Sequence, residues 1–233
     1  MDWPEIRQSN HTFLYSKQTM KVFEPDCKRC SRISAYLQEV RIRYPDYHAR
    51  PVPAFGASDP QLLIVGLAPG LHGANATGRP FTGDYAGILL YQTLYQYGFS
   101  NQAAATDAAD GLSLHNCRIT NAVKCLPPDN KPTGGEINTC NDYLQAELKN
   151  LTGGLTILAL GRIAHNAVLK ALGLRQSEYP FAHGQCHQLD NSRWLVDSYH
   201  CSRYNTQTRR LTEKMFHAVF DTILKLSAKT GNQ

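Results

Sequence analysis

The chain has 233 residues, 42% of them hydrophobic, and a formal net charge of +5, a mildly basic balance compatible with nucleic acid without requiring it. That length buries a core without disulfide staples, so residues 1–233 read as a single domain. The longest apolar runs, LLIVGLAP and LTILALG, are too short to cross a bilayer; no signal-peptide pattern opens the chain, and the seven cysteines lack a secreted spacing, so a cytoplasmic protein with no membrane partner is expected.

Residues 28–43, KRCSRISAYLQEVRIR, set Ile33, Tyr36, Leu37 and Val40 at helical spacing. The proline-dotted RYPDYHARPVPAFGASDP that follows holds no long helix. Four segments then read as buried strands: Leu62 to Gly66, Arg118 to Val123, Leu155 to Leu160, and Trp194 to Tyr199. Helical patterns lie between them in GILLYQTLYQYGF, GEINTCNDYLQAELKNL and GRIAHNAVLKALG. In the last of these, Ile163, Ala167 and Ala171 mark the expected core face. RRLTEKMFHAVFDTILKL reads as a closing amphipathic helix. Strand then helix, repeated, argues for an α/β fold with a parallel sheet covered on both faces. In such sheets the strand carboxyl ends point to one edge, where ligands bind. Each predicted strand ends in polar or glycine-rich sequence: GLAPGLHG, TNAVKC, GRIAH and SYHCSRYN. The topology therefore predicts that Asp84, Asn121 and His200 meet in one crevice.

Cys27 and Cys30 form a CxxC pair, and Cys125 and Cys140 stand 15 residues apart. Thr133 to Glu136 is a T-x-x-E capping box that opens a helix, with Cys140 inside it and Cys125 in the loop before it. A loop folded back on its own helix brings these two thiols together. A lone CxxC also fits a chance pair or a redox motif; the second pair strengthens the metal reading. Zinc and a [4Fe–4S] cluster both accept four thiolates, and the residues alone do not choose between them. Cys117 and Cys186 read as buried or incidental thiols.

The segment GLAPGLHGANATGRPFTGDYAG carries six glycines, Gly66, Gly70, Gly73, Gly78, Gly83 and Gly87, yet matches neither a Walker A loop nor GxGxxG. A connection this long without regular structure is more often functional than passive. Within it Phe81 suits stacking on a planar base. Asp84 supplies a carboxylate able to position water or stabilise positive charge, and it reads as well as the N-cap of the helix that follows. Asn121, at a strand end, offers a donor and an acceptor in one plane, which suits the edge of a nucleobase. His200 suits donation to a leaving group's oxygen, against the commoner fate of a hydrogen-bonded core histidine. Ser202, Arg203, Asn205, Arg209 and Arg210 follow in a polar stretch suited to phosphate contacts, with a solvated basic face as the default.

Taken together, GLAPGLHGANATGRPFTGDYAG, ITNAVKCLPP, LALGRIAHNAV and SYHCSRYNTQTRRLT resemble the uracil-DNA glycosylase superfamily, and within it the family 5 enzymes of the UDGb type. The resemblance runs from about Cys27 to the closing helix. It implies a three-layer α/β/α sandwich with a central four-stranded parallel sheet. It also implies a [4Fe–4S] cluster on Cys27, Cys30, Cys125 and Cys140, with zinc the lesser alternative, and a structural part for that cluster. Gly66, Leu67, Ala68, Pro69 and Phe81 would surround the base; Ala68 stands where other families place a polar water-activating residue, and Asp84 is the candidate for that role. Asn121 would read the base and His200 would contact its carbonyl. The implied activity is monofunctional excision of uracil, with hypoxanthine and xanthine as further bases, from a DNA partner, by a monomer. Two departures stand out: Cys201 replaces the proline of SYHPS, and Gly70-Leu71 replaces Ala-Ala. The rival classes are a non-catalytic metal protein that binds nucleic acid, and a nucleotide or sugar-phosphate enzyme using the glycine loop as an anion cradle. Neither gives a reason for Phe81, Asp84, Asn121 and His200 at one sheet edge.

Overall fold

The computed structural model describes residues 23–151 and 154–230. Their elements, in chain order, are α1 (Ser31–Arg43), β1 (Phe55–Gly56), β2 (Leu62–Gly66), α2 (Ala74–Thr77), α3 (Tyr85–Gln96), β3 (Cys117–Asn121), α4 (Gly134–Asn150), β4 (Leu155–Leu160), α5 (Arg162–Ala171), β5 (Cys186–Gln188), β6 (Arg193–Ser198), α6 (Arg203–Gln207) and α7 (Glu213–Thr230). The sheet runs β1-β3-β2-β4-β6-β5. Its four central strands, β3, β2, β4 and β6, are mutually parallel, as the sequence predicts. Two short antiparallel strands were not anticipated. β1 pairs with β3, and β5 pairs with β6, so each closes one edge of the sheet.

Side chains alternate across the pleat and give each face its own core. Leu62 and Ile64 point to the face covered by α3 and α7, where they meet Leu90, Leu94, Phe216 and Phe220. Leu63 and Val65 point to the opposite face and meet Leu144 and Leu148 of α4 and Val168 of α5. The result is the expected α/β/α sandwich. On α5 the buried face is Ala164, Ala167, Val168 and Ala171, while Ile163 is 40% exposed, which corrects the expectation that it joins the core. The 3.6-residue period carries the face from Ala167 back to Ala164, one position beyond Ile163.

α1 packs outside these two layers. Ile33, Leu37 and Val40 form a third apolar cluster with Val123, Leu126, Cys140 and Tyr143, with Cys27, Cys30 and Cys125 against it. Arg32 ties α1 to α4. Its Nε and Nη2 donate to the two carboxylate oxygens of Glu136 at 2.8 and 2.7 Å, and Nη2 also reaches the Lys131 carbonyl at 3.0 Å. The capping box forms as the sequence predicts. Thr133 Oγ1 accepts from the Glu136 N–H at 3.2 Å, and Glu136 Oε2 accepts from the Thr133 N–H at 2.7 Å.

Candidate active site

The carboxyl ends of the parallel strands deliver Gly66, Asn121, Gly161 and the segment after Ser198 to one edge. Because β3 and β4 lie on opposite sides of β2, the chain reverses its direction of winding there, and a crevice opens at that point. A cleft of about 350 Å³ occupies it, and Leu67, Ala68, Gly70, Phe81, Asp84, Asn121, Asn130, His200 and Ser202 are among the residues that line it. The three groups expected to converge from remote parts of the chain therefore do so.

The glycine loop is built around close contacts. Gly66 sits between Asn121 and Phe81: a Cβ there would lie 2.4 Å from Asn121 Oδ1 and 2.7 Å from Phe81 Cζ. Gly73 is pressed against Asp84, where a Cβ would approach Oδ2 to 2.6 Å. These positions admit no side chain without displacing a site residue. Phe81 itself holds φ +55°, a conformation that costs a non-glycine residue about 1–3 kcal/mol and persists only when its surroundings impose it. The surroundings are visible. The buried Arg79 guanidinium forms a two-pronged bond to Asp110 at 2.8 and 2.6 Å and donates from Nε to Thr82 Oγ1 at 2.8 Å. The same guanidinium holds the Asp110 carboxyl far below the usual range. The Tyr91 hydroxyl donates to the Pro80 carbonyl at 2.8 Å.

Asp84 takes the capping part read from the sequence with one oxygen and turns the other toward the glycine loop. Oδ1 accepts from the Gly87 N–H at 2.9 Å and caps α3, while Oδ2 lies beside Gly70 and Gly73. Burial pushes its pKa up, against the backbone N–H groups of Gly87 and Ala86. Asn121 is 3% exposed, and its Oδ1 has no partner among the described residues; the buried His200 Nδ1 has none either. The His200 ring stacks beside Phe81, centroids 5.8 Å apart and planes 27° apart. Burial pulls its pKa down to about 4, so the imidazole is neutral at pH 7. A buried polar atom without a partner costs about 1–3 kcal/mol. Both atoms belong to residues that line one cleft beside the Phe81 ring, an arrangement that suits a planar polar ligand.

The remaining expected residues divide. Pro69 is buried behind the cleft wall and Gly66 backs it, whereas Leu67, Ala68 and Ser202 line it directly. Ser202 also caps α6, accepting from the Asn205 N–H at 3.4 Å. Asn205, expected as a DNA contact, is half-buried: its Nδ2 donates to the His200 carbonyl at 2.8 Å and so holds the segment after β6 in place. Arg203 and Arg209 are exposed, and the Arg210 guanidinium sits 4.8 Å from the Tyr199 ring centroid. Cys201, where the resemblance led proline to be expected, is fully buried in the core cluster with residues of α3 and α7 and is held there by packing. Sequence reasoning missed Asn130 on the cleft wall, the Arg79–Asp110 brace, and Tyr204, 70% exposed in the first turn of α6.

A second, smaller cavity is ringed by Cys27, Cys30, Cys125 and Cys140, with Ile33, Val123 and Tyr143 in its wall. None of the four is in a disulfide. Burial pushes up the thiol pKa values of Cys30, Cys125 and Cys140, and neighbouring thiols add to this, so a cationic centre would favour the thiolate form of these three. The Lys124 backbone N–H already points at Cys140 Sγ, at 3.2 Å. The donor set thus fits a thiolate-ligated centre. Among the described residues, the group of three such ligand atoms lying within 4.8 Å of one another is His165, His187 and Asp197, not the cysteines. In that group both His165 nitrogens are already engaged, with Asp197 Oδ1 at 2.7 Å and the Tyr179 carbonyl at 2.8 Å.

Residues 53–224 match the family model of the uracil DNA glycosylase superfamily. A type-5 uracil-DNA glycosylase of Thermus thermophilus is 46% identical over 195 residues, covering 82% of this chain and 89% of that protein. A type-5 enzyme of Mycobacterium leprae is 42% identical, covering 86% and 91%. A type-4 uracil-DNA glycosylase of Archaeoglobus fulgidus is 28% identical, covering 83% and 86%. With its cleft at the sheet's carboxyl edge and these similarities along most of its length, the chain belongs to the uracil-DNA glycosylase superfamily, among its type-5 members.

Proposed function

We propose that the chain excises uracil from DNA by hydrolysing the N-glycosidic bond, leaving free base and an abasic site. The observation that carries this is the convergence of Asp84, Asn121 and His200 on one cleft beside Phe81, with Asn121 Oδ1 and His200 Nδ1 buried and without a partner among the described residues. A base stacked in a duplex is out of reach, so the nucleotide is extruded into the cleft. There Phe81 offers its ring face and Asn121 pairs with the base edge. Water oxygen bonds to C1′ as the bond from C1′ to the base nitrogen breaks; the electron pair of that bond leaves with the base, and the proton lost by the water ends on the departing base, which is released neutral. Positive charge develops on the sugar, and the Asp84 carboxylate is the group that meets it or orients the water. Negative charge develops on the base carbonyl. His200 is neutral, and the tautomer with its proton on Nδ1 donates there.

Few side chains touch the base in this arrangement, so discrimination is weak and hypoxanthine and xanthine are further substrates. No lysine is among the lining residues described, which supports hydrolysis without a lyase step. Arg203 and Arg209 contact the DNA backbone, and the exposed Tyr204 ring fills the stack vacated by the extruded nucleotide. A [4Fe–4S] cluster on Cys27, Cys30, Cys125 and Cys140 fits better than zinc. Four sulfurs at about 2.3 Å from one zinc would lie about 3.8 Å apart, closer than any three of these thiols come. Held by these four thiolates, such a cluster would tie the segment that opens α1 to α4 and to the loop at Cys125. Each chain has a complete cleft and acts as a cytoplasmic monomer. Incubation with duplexes bearing uracil, hypoxanthine, xanthine or a thymine mismatch tests the reading. Alkali-cleavable abasic sites are expected from the first three, fastest from uracil. Intact uracil duplex after prolonged incubation with iron-replete protein would sink it.

A further inference from the structure

Asn130 is an amide on the cleft wall that the reaction as described does not use. It lies in the loop between Cys125 and α4, at the end of the Pro128–Asn130 turn. Both Asp129 (φ +54°) and Asn130 (φ +56°) hold left-handed backbone. Asparagine tolerates that conformation better than most residues, but two in succession need support. The support comes from the Asn130 N–H donating to the Pro127 carbonyl at 3.1 Å, the Lys131 N–H donating to the Pro128 carbonyl at 3.0 Å, and Arg32 holding the Lys131 carbonyl. The constrained turn carries an exposed amide to the cleft, where Asn121 is buried.

We infer that Asn130 binds the sugar-phosphate of the extruded nucleotide, donating from its amide nitrogen to a phosphate oxygen while Asn121 takes the base below. This rests on the reading of the cleft as one that receives an extruded nucleotide. Depth separates the two amides. The inner one reaches a base edge, and the one on the rim reaches the backbone that must stay outside. Arg32 then acts as a positioning residue, linking the cysteine-bearing α1 to the turn that presents Asn130.

The test compares the native protein with Asn130→Gly, which keeps the left-handed backbone and removes the amide, and Asn130→Asp, which keeps the shape and turns the donor into an anion. Binding is measured to a duplex with a stable abasic-site analogue and to one with a non-cleavable uracil nucleotide. Asn130→Gly is expected to lose about tenfold in affinity for both duplexes, by the same factor. Asn130→Asp is expected to lose more, with iron content and melting temperature unchanged in both. Equal affinity of Asn130→Gly and the native protein would overturn the inference, as would a loss confined to the uracil duplex. Because the abasic duplex contains no base, its result stands apart from whether uracil is excised.

Discussion

His200 is neutral at physiological pH because burial disfavours its charged form, and the fold is destabilised when that form is forced. Its folded pKa of about 4 lies below the unfolded value near 6.5, so the unfolded chain takes up the proton first as pH falls. Stability is therefore full above pH 6.5 and lost progressively down to about 4, by about 2 kcal/mol between pH 7 and 5. His200→Asn should flatten that acid limb in urea unfolding at the two pH values; an unchanged limb would show that the ring is solvated. Gly66 gives a second test. A methyl group there meets Asn121 Oδ1 and the Phe81 ring, so Gly66→Ala should slow excision at least tenfold while leaving the helix content unaltered. Native rates in Gly66→Ala would mean that Asn121 and Phe81 need not hold these positions. The convergence of Asp84, Asn121 and His200 was legible in the sequence because Asn121 ends a strand, His200 follows one and Asp84 precedes a helix at the same edge of the sheet. Asn205 was read as a DNA contact because its neighbours are basic; only coordinates reveal that its amide turns back to the His200 carbonyl.

At the scale of elements, strong local signals survived and weak ones did not. The four parallel strands and the long helices have clear period and punctuation. The edge strands β1 and β5 are two and three residues long, too short to show any period. Their existence depends on partners already in the sheet. The Thr133 box was readable because a cap is local chemistry. Thr133→Ala should cost about 1 kcal/mol in urea unfolding, and a neutral result would show that α4 is held by packing alone. The four thiols show the opposite limit: spacing announced them, but only the packing of α1 on α4 explains why they face one cavity. Cys27→Ser should lower bound iron and loosen the attachment of α1 to α4, read by metal analysis and proteolysis. Full iron content would remove Cys27 from the ligand set.

Across the whole molecule, a sheet buried on both faces fixes its strand ends rigidly, and the cleft occupies the edge where those ends meet. The apolar interior was readable from residue type alone, as in Leu62 to Val65. The strained backbone at Phe81 was not, because it arises from the Arg79–Asp110 pair, the Tyr91 hydroxyl and the close approach of Gly66 acting together. The arrangement makes one claim above the others: that the Asp84 carboxylate acts in bond cleavage separately from its capping of α3. Asp84→Asn keeps a side-chain oxygen for the Gly87 N–H and removes the charge. Single-turnover excision of uracil from duplex DNA by this variant, beside its melting temperature, is the most direct measurement. A rate at least about a hundredfold lower is expected, with melting within a few degrees of the native protein; an undiminished rate would show that the carboxylate's charge takes no part in bond cleavage.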